Sequence, residues 1–322
     1  MIDVPMSQTT LATEATATVK TTKAAWRLAP TAPLCEFRAV FNSTRWHDGF
    51  YKFLQNIYRL YPEDRFHTLI KTISAQLDND EAIYRRLQRE LPTIKPFMAD
   101  VTMALPSLFK QKEEMVNQTL RLISGKDQID GYIEIGSTGR YISALKKRIN
   151  VTGPISLVND VAPTNSPADI AERGGLFKIG NFVPLNDYEP LPTSLPDASV
   201  DMVTCYVGLH HCPLHKLDAF VDSIARVLKP RGLFILRDHD VTTPEMFVFV
   251  SLVHTVFNAG LNGSWEVNER ELRYFRPVAE WVQYLGERAL QDSGKRELQA
   301  HDPSDNVLLA FTKVTPSTGV AA

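Results

Sequence analysis

Cysteine is scarce in this chain: Cys35, Cys205 and Cys212 are the only three in 322 residues. Thiols at these separations make neither a disulfide framework nor a C-x-x-C metal site, so a reducing, cytoplasmic setting is expected. Excess charge is absent too. Lys and Arg number 35 against 37 Asp and Glu, a net charge of −2, which argues against a nucleic-acid binder working through bulk charge. A membrane span is also lacking: the apolar run Met246–Phe257 is too short to cross a bilayer and is interrupted by His254. The opening stretch, residues 1–35, is rich in Thr and Ala, carries Asp3 and Glu14, and has no arginine before Arg27. With no apolar signal core it reads as a disordered tail and not as a secretion signal, and the late first arginine gives an organelle transit peptide little support.

Two common glycine loops are missing as well. Starting from Gly136, the dinucleotide fingerprint G-x-G-x-x-G would need glycine at Thr138 and Tyr141. The phosphate loop G-x-x-x-x-G-K-[ST] would need glycine at Tyr141 and lysine at Ile142. Both fail, which weighs against a nicotinamide oxidoreductase and a P-loop enzyme.

What is present is a short apolar strand, Tyr132–Ile135, running into Gly136-Ser-Thr-Gly139-Arg140. Such a turn lets bare backbone N–H groups and a helix N-terminus approach a ligand without a Cβ in the way. Glu134 sits two residues before the first glycine. An acid there repels pyrophosphate and suits a ligand with a cationic end.

Upstream of this turn the spacing is helical. Phe50, Phe53, Leu54, Ile57 and Tyr58 share a face, as do Phe66, Leu69, Ile70, Ile73 and Leu77. A third helix through Ile83, Leu87 and Leu91 is expected to stop at Pro92, and a fourth through Met115, Thr119, Leu120 and Ile123 to end at Gly125. Downstream, short apolar runs alternate with helical segments. Expected strands are Tyr132–Ile135, Ile155–Asn159, Leu176–Ile179, Met202–Tyr206, Leu233–Leu236 and a last one over Asn306–Thr312. Alternation of this kind predicts an α/β fold with a parallel sheet, whose ligands bind beyond the carboxyl ends of the strands. Three segments follow: a tail to residue 35, an all-helical part over 36–127 that would serve as a cap or dimerisation region, and an α/β domain over 128–322.

Those strand ends carry polar residues. Asp160, followed by Val161, lies about two dozen residues past the glycine turn, where an acid can accept hydrogen bonds from both hydroxyls of a ribose. Gly180-Asn181-Phe182 follows the third expected strand; the Asn181 side chain can accept a hydrogen bond, and Phe182 can stack. The fourth strand runs from Asp201 through Cys205 to Leu209-His210-His211, and the fifth follows Arg226-Val-Leu-Lys-Pro-Arg-Gly232 and leads to Asp238-His239.

In this order, Glu134-x-Gly136, Asp160-x-x-Pro163, Gly180-Asn181, Leu209-His210-His211 and Arg226-Val-Leu-Lys-Pro-x-Gly232 resemble the motifs of the class I, Rossmann-like S-adenosylmethionine-dependent methyltransferases, in their type 11-like small-molecule branch. The glycine turn departs from the usual E/D-x-G-x-G-x-G: its second glycine is displaced by one and its third is absent.

The resemblance implies a seven-stranded, mostly parallel sheet flanked by helices, with S-adenosylmethionine as methyl donor and S-adenosylhomocysteine as product. It implies cofactor contacts at Glu134, Gly136, Ser137, Gly139, Asp160, Val161, Asn181, Phe182 and Cys205. Substrate-facing roles are expected for His239, Asp238 and His210, which sit where a group could orient or deprotonate a small-molecule acceptor. A metal set from His210, His211, His215 and His239 matches no standard zinc spacing, so no metal is expected. A homodimer through the helical part is compatible with the pattern. Two other uses of the scaffold stay open: a non-methyl transfer from the same cofactor, and a non-catalytic binding module.

Overall fold

A computed structural model describes residues 35–96, 105–166, 169–170 and 173–314; the tail expected over residues 1–35 lies almost wholly outside them. Seven strands form one sheet in the order β3-β2-β1-β4-β5-β7-β6: β1 (Gln128–Ile135), β2 (Asn150–Asn159), β3 (Asn181–Pro184), β4 (Val200–Cys205), β5 (Leu228–His239), β6 (Leu290–Leu298) and β7 (Asn306–Lys313). The pairings β3-β2, β2-β1, β1-β4 and β4-β5 are parallel, and β7 runs antiparallel between β5 and β6. The expected mostly parallel α/β sheet is therefore present.

The central strands are apolar on both faces because helices cover both faces. Alternate residues along each strand point to opposite sides. Ile133, Ile135, Val203, Phe234 and Leu236 join one core with α7 (Leu214–Val227) and α10 (Val278–Gly286). Tyr132, Leu157, Met202 and Ile235 join the other, with α5 (Leu105–Leu122) and α6 (Arg140–Leu145).

A third core lies in the helical layer. There α1 (Glu36–Phe41), α2 (Thr44–Asn56), α3 (Glu63–Gln76) and α4 (Asp80–Ile94) enclose the apolar helix α8 (Pro244–Gly260). The run from Met246 is thus a buried helix, capped by the Thr243 hydroxyl, which accepts the Met246 N–H. The Asp80 carboxylate accepts the backbone N–H groups of Glu36 and Phe37, giving α1 a cap from 44 residues away.

Three expectations shift, and one strand comes without a signal in the sequence. The helix expected to stop at Pro92 continues to Ile94, with Pro92 inside its last turn. α5 packs on the sheet and not with the other N-terminal helices, because its buried Met115, Val116 and Leu122 meet the strands. The third strand forms at Asn181–Pro184, five residues later than the expected Leu176–Ile179: Leu176 and Phe177 are 65% and 87% exposed and have no neighbouring strand. Finally, β6 carries no apolar alternation; as the edge strand it is mostly exposed and needs none.

Candidate functional site

The carboxyl edge of the sheet holds the first half of the site. After Ile135 the chain turns at Gly136 and Gly139, with φ of 80° and 98°, the left-handed region that favours glycine. At Gly136 an added Cβ would also clash with the Val207 side chain, so the β1 turn nests against the turn after β4. The Ser137 hydroxyl accepts the backbone N–H groups of Gly139 and Arg140. The Thr138 hydroxyl oxygen is buried without a hydrogen-bond partner among the described residues.

Glu134 is fully buried. One oxygen accepts the Ile142 N–H at 2.7 Å and the Tyr132 hydroxyl at 3.1 Å; the other accepts the Tyr141 N–H at 3.3 Å. It therefore neutralises the N-terminus of α6 from below. Burial raises its carboxyl above the usual range, against the lowering effect of Ser137 and the two helix N–H groups.

Asp160 lies just past the end of β2, exposed, and its carboxylate accepts no hydrogen bond from the described residues. Partial burial and then the nearby Asp187 raise its carboxyl. Cys205 ends β4 as a buried thiol, pushed up to about 12 by burial and by Asp238.

Asn181 and Phe182 do not reach this edge. They open β3, level with Ser156 and Leu157 of β2, while the edge is marked by Asn159 and its partner Pro184. The later start of the strand is the reason. Three residues beyond the carboxyl end of β3 stands Asp187 instead, in a turn where Asn186, Asp187 and Tyr188 are all left-handed. Lys216 anchors that turn through the Asp187 carboxylate at 3.0 Å and its backbone carbonyl at 2.9 Å. The apolar pair Leu176-Phe177, which points to an earlier strand, hides this position in the sequence.

The second half is a nest of imidazoles. His210 and His211 lie in the turn after β4, a few residues beyond the strand itself, while Asp238 and His239 are the last residues of β5. His210 is 3% exposed and its Nδ1 donates to Asp238 Oδ1 at 2.7 Å. Asp238 also accepts the Leu209 and His239 backbone N–H groups. His254 of α8 completes the nest with ring centroids 5.2 Å from His210, 5.3 Å from His211 and 5.5 Å from His239. Phe275 packs against three of the four.

Burial, and then the neighbouring imidazoles, hold His211 and His239 well below the usual histidine value. Burial also lowers His254, against the pull of Glu271. Burial works to raise Glu271, yet His254 and Arg273 together hold its carboxyl far below the usual range. Arg273 donates to Glu271, Ser251, Thr255 and Asn268 and so locks this acid in place. His254, Glu271 and Arg273 were not expected as site residues. The available signal was a lone histidine inside an otherwise apolar helix.

Residues 133–236 match the family model described as a methyltransferase domain. That match and the sheet order coincide on the same strands. The chain has the class I, Rossmann-like methyltransferase fold. No curated protein matches it. Among solved structures, this methyltransferase fold is similar to the 1,6-didemethyltoxoflavin N1-methyltransferase of Burkholderia thailandensis, with 14% identity and a TM-score of 0.44 over 65% of this chain and 82% of that one. An O-methyltransferase family protein from Burkholderia thailandensis gives 16% and 0.44 over 78% and 73%. An O-methyltransferase family 2 protein from Planctomyces limnophilus gives 13% and 0.44 over 78% and 65%. No helix among the described residues is long and apolar enough to cross a membrane.

Proposed function

We propose that the protein transfers a methyl group from S-adenosylmethionine to a small-molecule acceptor, releasing S-adenosylhomocysteine. The observation that carries the reading is the presence, at one sheet edge, of a glycine turn, an Asp160 carboxylate with no partner among the described residues and the buried His210–Asp238 pair.

The donor set fits the nucleoside. Asp160 has free acceptor capacity for two ribose hydroxyls, with Val161 beside it. The turn Gly136-Ser137-Gly139, the partnerless Thr138 hydroxyl and the Cys205 backbone form the amino-acid end. Glu134 acts on a cationic end through α6 and through its charge, since both its oxygens are engaged. For the base, the edge position of Asp187 makes it a better contact than Asn181 or Phe182.

When bound, S-adenosylmethionine supplies a methyl carbon already activated by its sulfonium. The protein's work is to align an acceptor in line with it, exclude water and receive a proton. α8 and the N-terminal helices form an apolar wall beside the imidazoles, which suits a lidded pocket. His210 is the favoured proton acceptor: Asp238 accepts the hydrogen bond of its Nδ1–H, and the buried Nε2 has no partner among the described residues. His239 is more engaged, with Nδ1 donating to the Ser304 carbonyl and Nε2 accepting from Asn306.

Calorimetry with S-adenosylmethionine, S-adenosylhomocysteine and NAD tests the reading. Sub-millimolar binding of the sulfur nucleosides is expected; no binding of either would overturn it. Asp160→Ala removes up to two hydrogen bonds at ~1 kcal/mol each, so affinity should fall by about tenfold or more. Unchanged affinity would remove Asp160 from the site.

A further inference from the structure

We propose that His210, His211 and His254 bind a divalent transition-metal ion. One ring nitrogen from each lies within 4.8 Å of the others. Three elements of the chain bring them together: the turn after β4 supplies two, α8 the third, and the segment after α9 (Trp265–Arg270) supplies acceptors behind them.

The decisive feature is which nitrogen is left over. His210 Nδ1 faces Asp238 at 2.7 Å, His211 Nδ1 faces the Leu272 carbonyl at 3.0 Å, and His254 Nδ1 faces Glu271 at 3.4 Å. Neither a carbonyl nor a carboxylate can donate, so each Nδ1 carries the proton and each Nε2 keeps its lone pair. His239 follows the same rule, with Nδ1 on the Ser304 carbonyl. As a result His254 Nε2 and His239 Nε2 face each other at 3.4 Å with no proton between them, and only the His239 lone pair is answered, by the Asn306 amide. His210 Nε2 is buried with no partner among the described residues. Three neighbouring imidazoles whose lone pairs lie on Nε2, each ring fixed at Nδ1 by an acceptor and two of these acceptors carboxylates, match the way proteins orient histidine ligands on a metal.

The chemistry selects the ion. Imidazoles suit Zn²⁺ and its first-row neighbours over Mg²⁺ or Ca²⁺, which prefer oxygen. Tetrahedral Zn–N bonds of about 2.0–2.1 Å put ligand nitrogens about 3.3 Å apart, within reach of small ring rotations from the present spacing. His211 and His254 side chains are 23% and 15% exposed, so the nest opens to solvent. Three imidazoles leave an open position. In the methyl-transfer reading, coordination would lower the pKa of an acceptor hydroxyl or thiol on that position, its proton would pass to solvent on the exposed side of the nest, and His210 would act as ligand instead of base. The metal site itself does not depend on that reading.

The test uses tag-free full-length protein, stripped with chelator and titrated with Co²⁺, then with competing Zn²⁺. One equivalent per chain with visible d–d absorption is expected, together with retained metal by elemental analysis. His211→Ala and His254→Ala should each lose the absorption, while His215→Ala, an exposed histidine of α7, should keep it. Should His254→Ala fail to fold, Glu271→Gln is the second variant, with affinity expected to fall about 10–100-fold. Absence of Co²⁺ bands in the wild type, or wild-type binding by His211→Ala and His254→Ala, overturns the proposal. Calorimetry with S-adenosylhomocysteine on the stripped protein reports separately on the methyl-transfer reading.

Discussion

At the residue scale, Glu134 shows how one side chain serves structure and site together. Its two oxygens take the free N–H groups that begin α6, and the glycine turn is held between them and the strand. Because burial raises its carboxyl, the folded state holds this proton more tightly than the unfolded chain does. Its contribution to stability is therefore fully present below the unfolded value, near pH 4.5, and is lost as pH rises through the folded value. Glu134→Gln has no titrating group, so the stability of the wild type relative to this variant should decline as pH rises above the unfolded value. Urea denaturation of both proteins across that range measures it; a relative stability that climbs with pH would mean the carboxyl is lowered in the fold. Gln also puts an amide N–H against helix donors, so the variant should be less stable throughout by about 1–3 kcal/mol.

At the element scale, α8 does two jobs that its sequence announces unequally. Its apolar residues build the helical-layer core, and its single histidine enters the imidazole nest. Thr243→Ala removes the cap that accepts the Met246 N–H and should cost about 1 kcal/mol. Cofactor affinity should stay unchanged, because the Thr243 hydroxyl serves the Met246 N–H; a joint loss would indicate that α8 reaches the nucleoside. Elements with a strong period were legible in advance: β1, β2, β4, β5, β7, the helical layer and α7 follow from apolar spacing alone. β6 was not, because an exposed edge strand needs no apolar face. β3 was displaced because Leu176-Phe177 mimics a strand start yet finds no partner, and Asp187 was lost with it. In the site, contiguous motifs such as Leu209-His210-His211 could be read. His254 and Glu271 could not, since a nest formed from separate elements leaves no spacing signature.

At the scale of the whole molecule, the division between helical cap and α/β domain is not a division of cores. α8 comes from the C-terminal part of the chain but is buried among α1–α4, while α5 comes from the N-terminal part but is buried against the sheet. Arg273 ties the same layers together by polar contacts, reaching Ser251 and Thr255 of α8, Asn268 of α9 and Glu271 beside the imidazoles. A chain exchanged in both directions cannot release one layer without stripping apolar surface from the other. Unfolding is therefore expected to be a single cooperative event despite the length of the chain. Phe249 lies fully buried in the helical core, packed on Trp46 and Phe50. Phe249→Ala should lower stability by about 3–5 kcal/mol. The loss should register equally at Trp46 in the helical layer and at Trp281 in the α/β layer. Denaturant unfolding of two variants, each keeping one of these tryptophans, gives the measurement. Coincident midpoints that shift together on adding Phe249→Ala support one cooperative unit. A midpoint at Trp281 that stays in place while that at Trp46 moves would show that the layers unfold independently, and that α8 can leave the imidazole nest without the sheet.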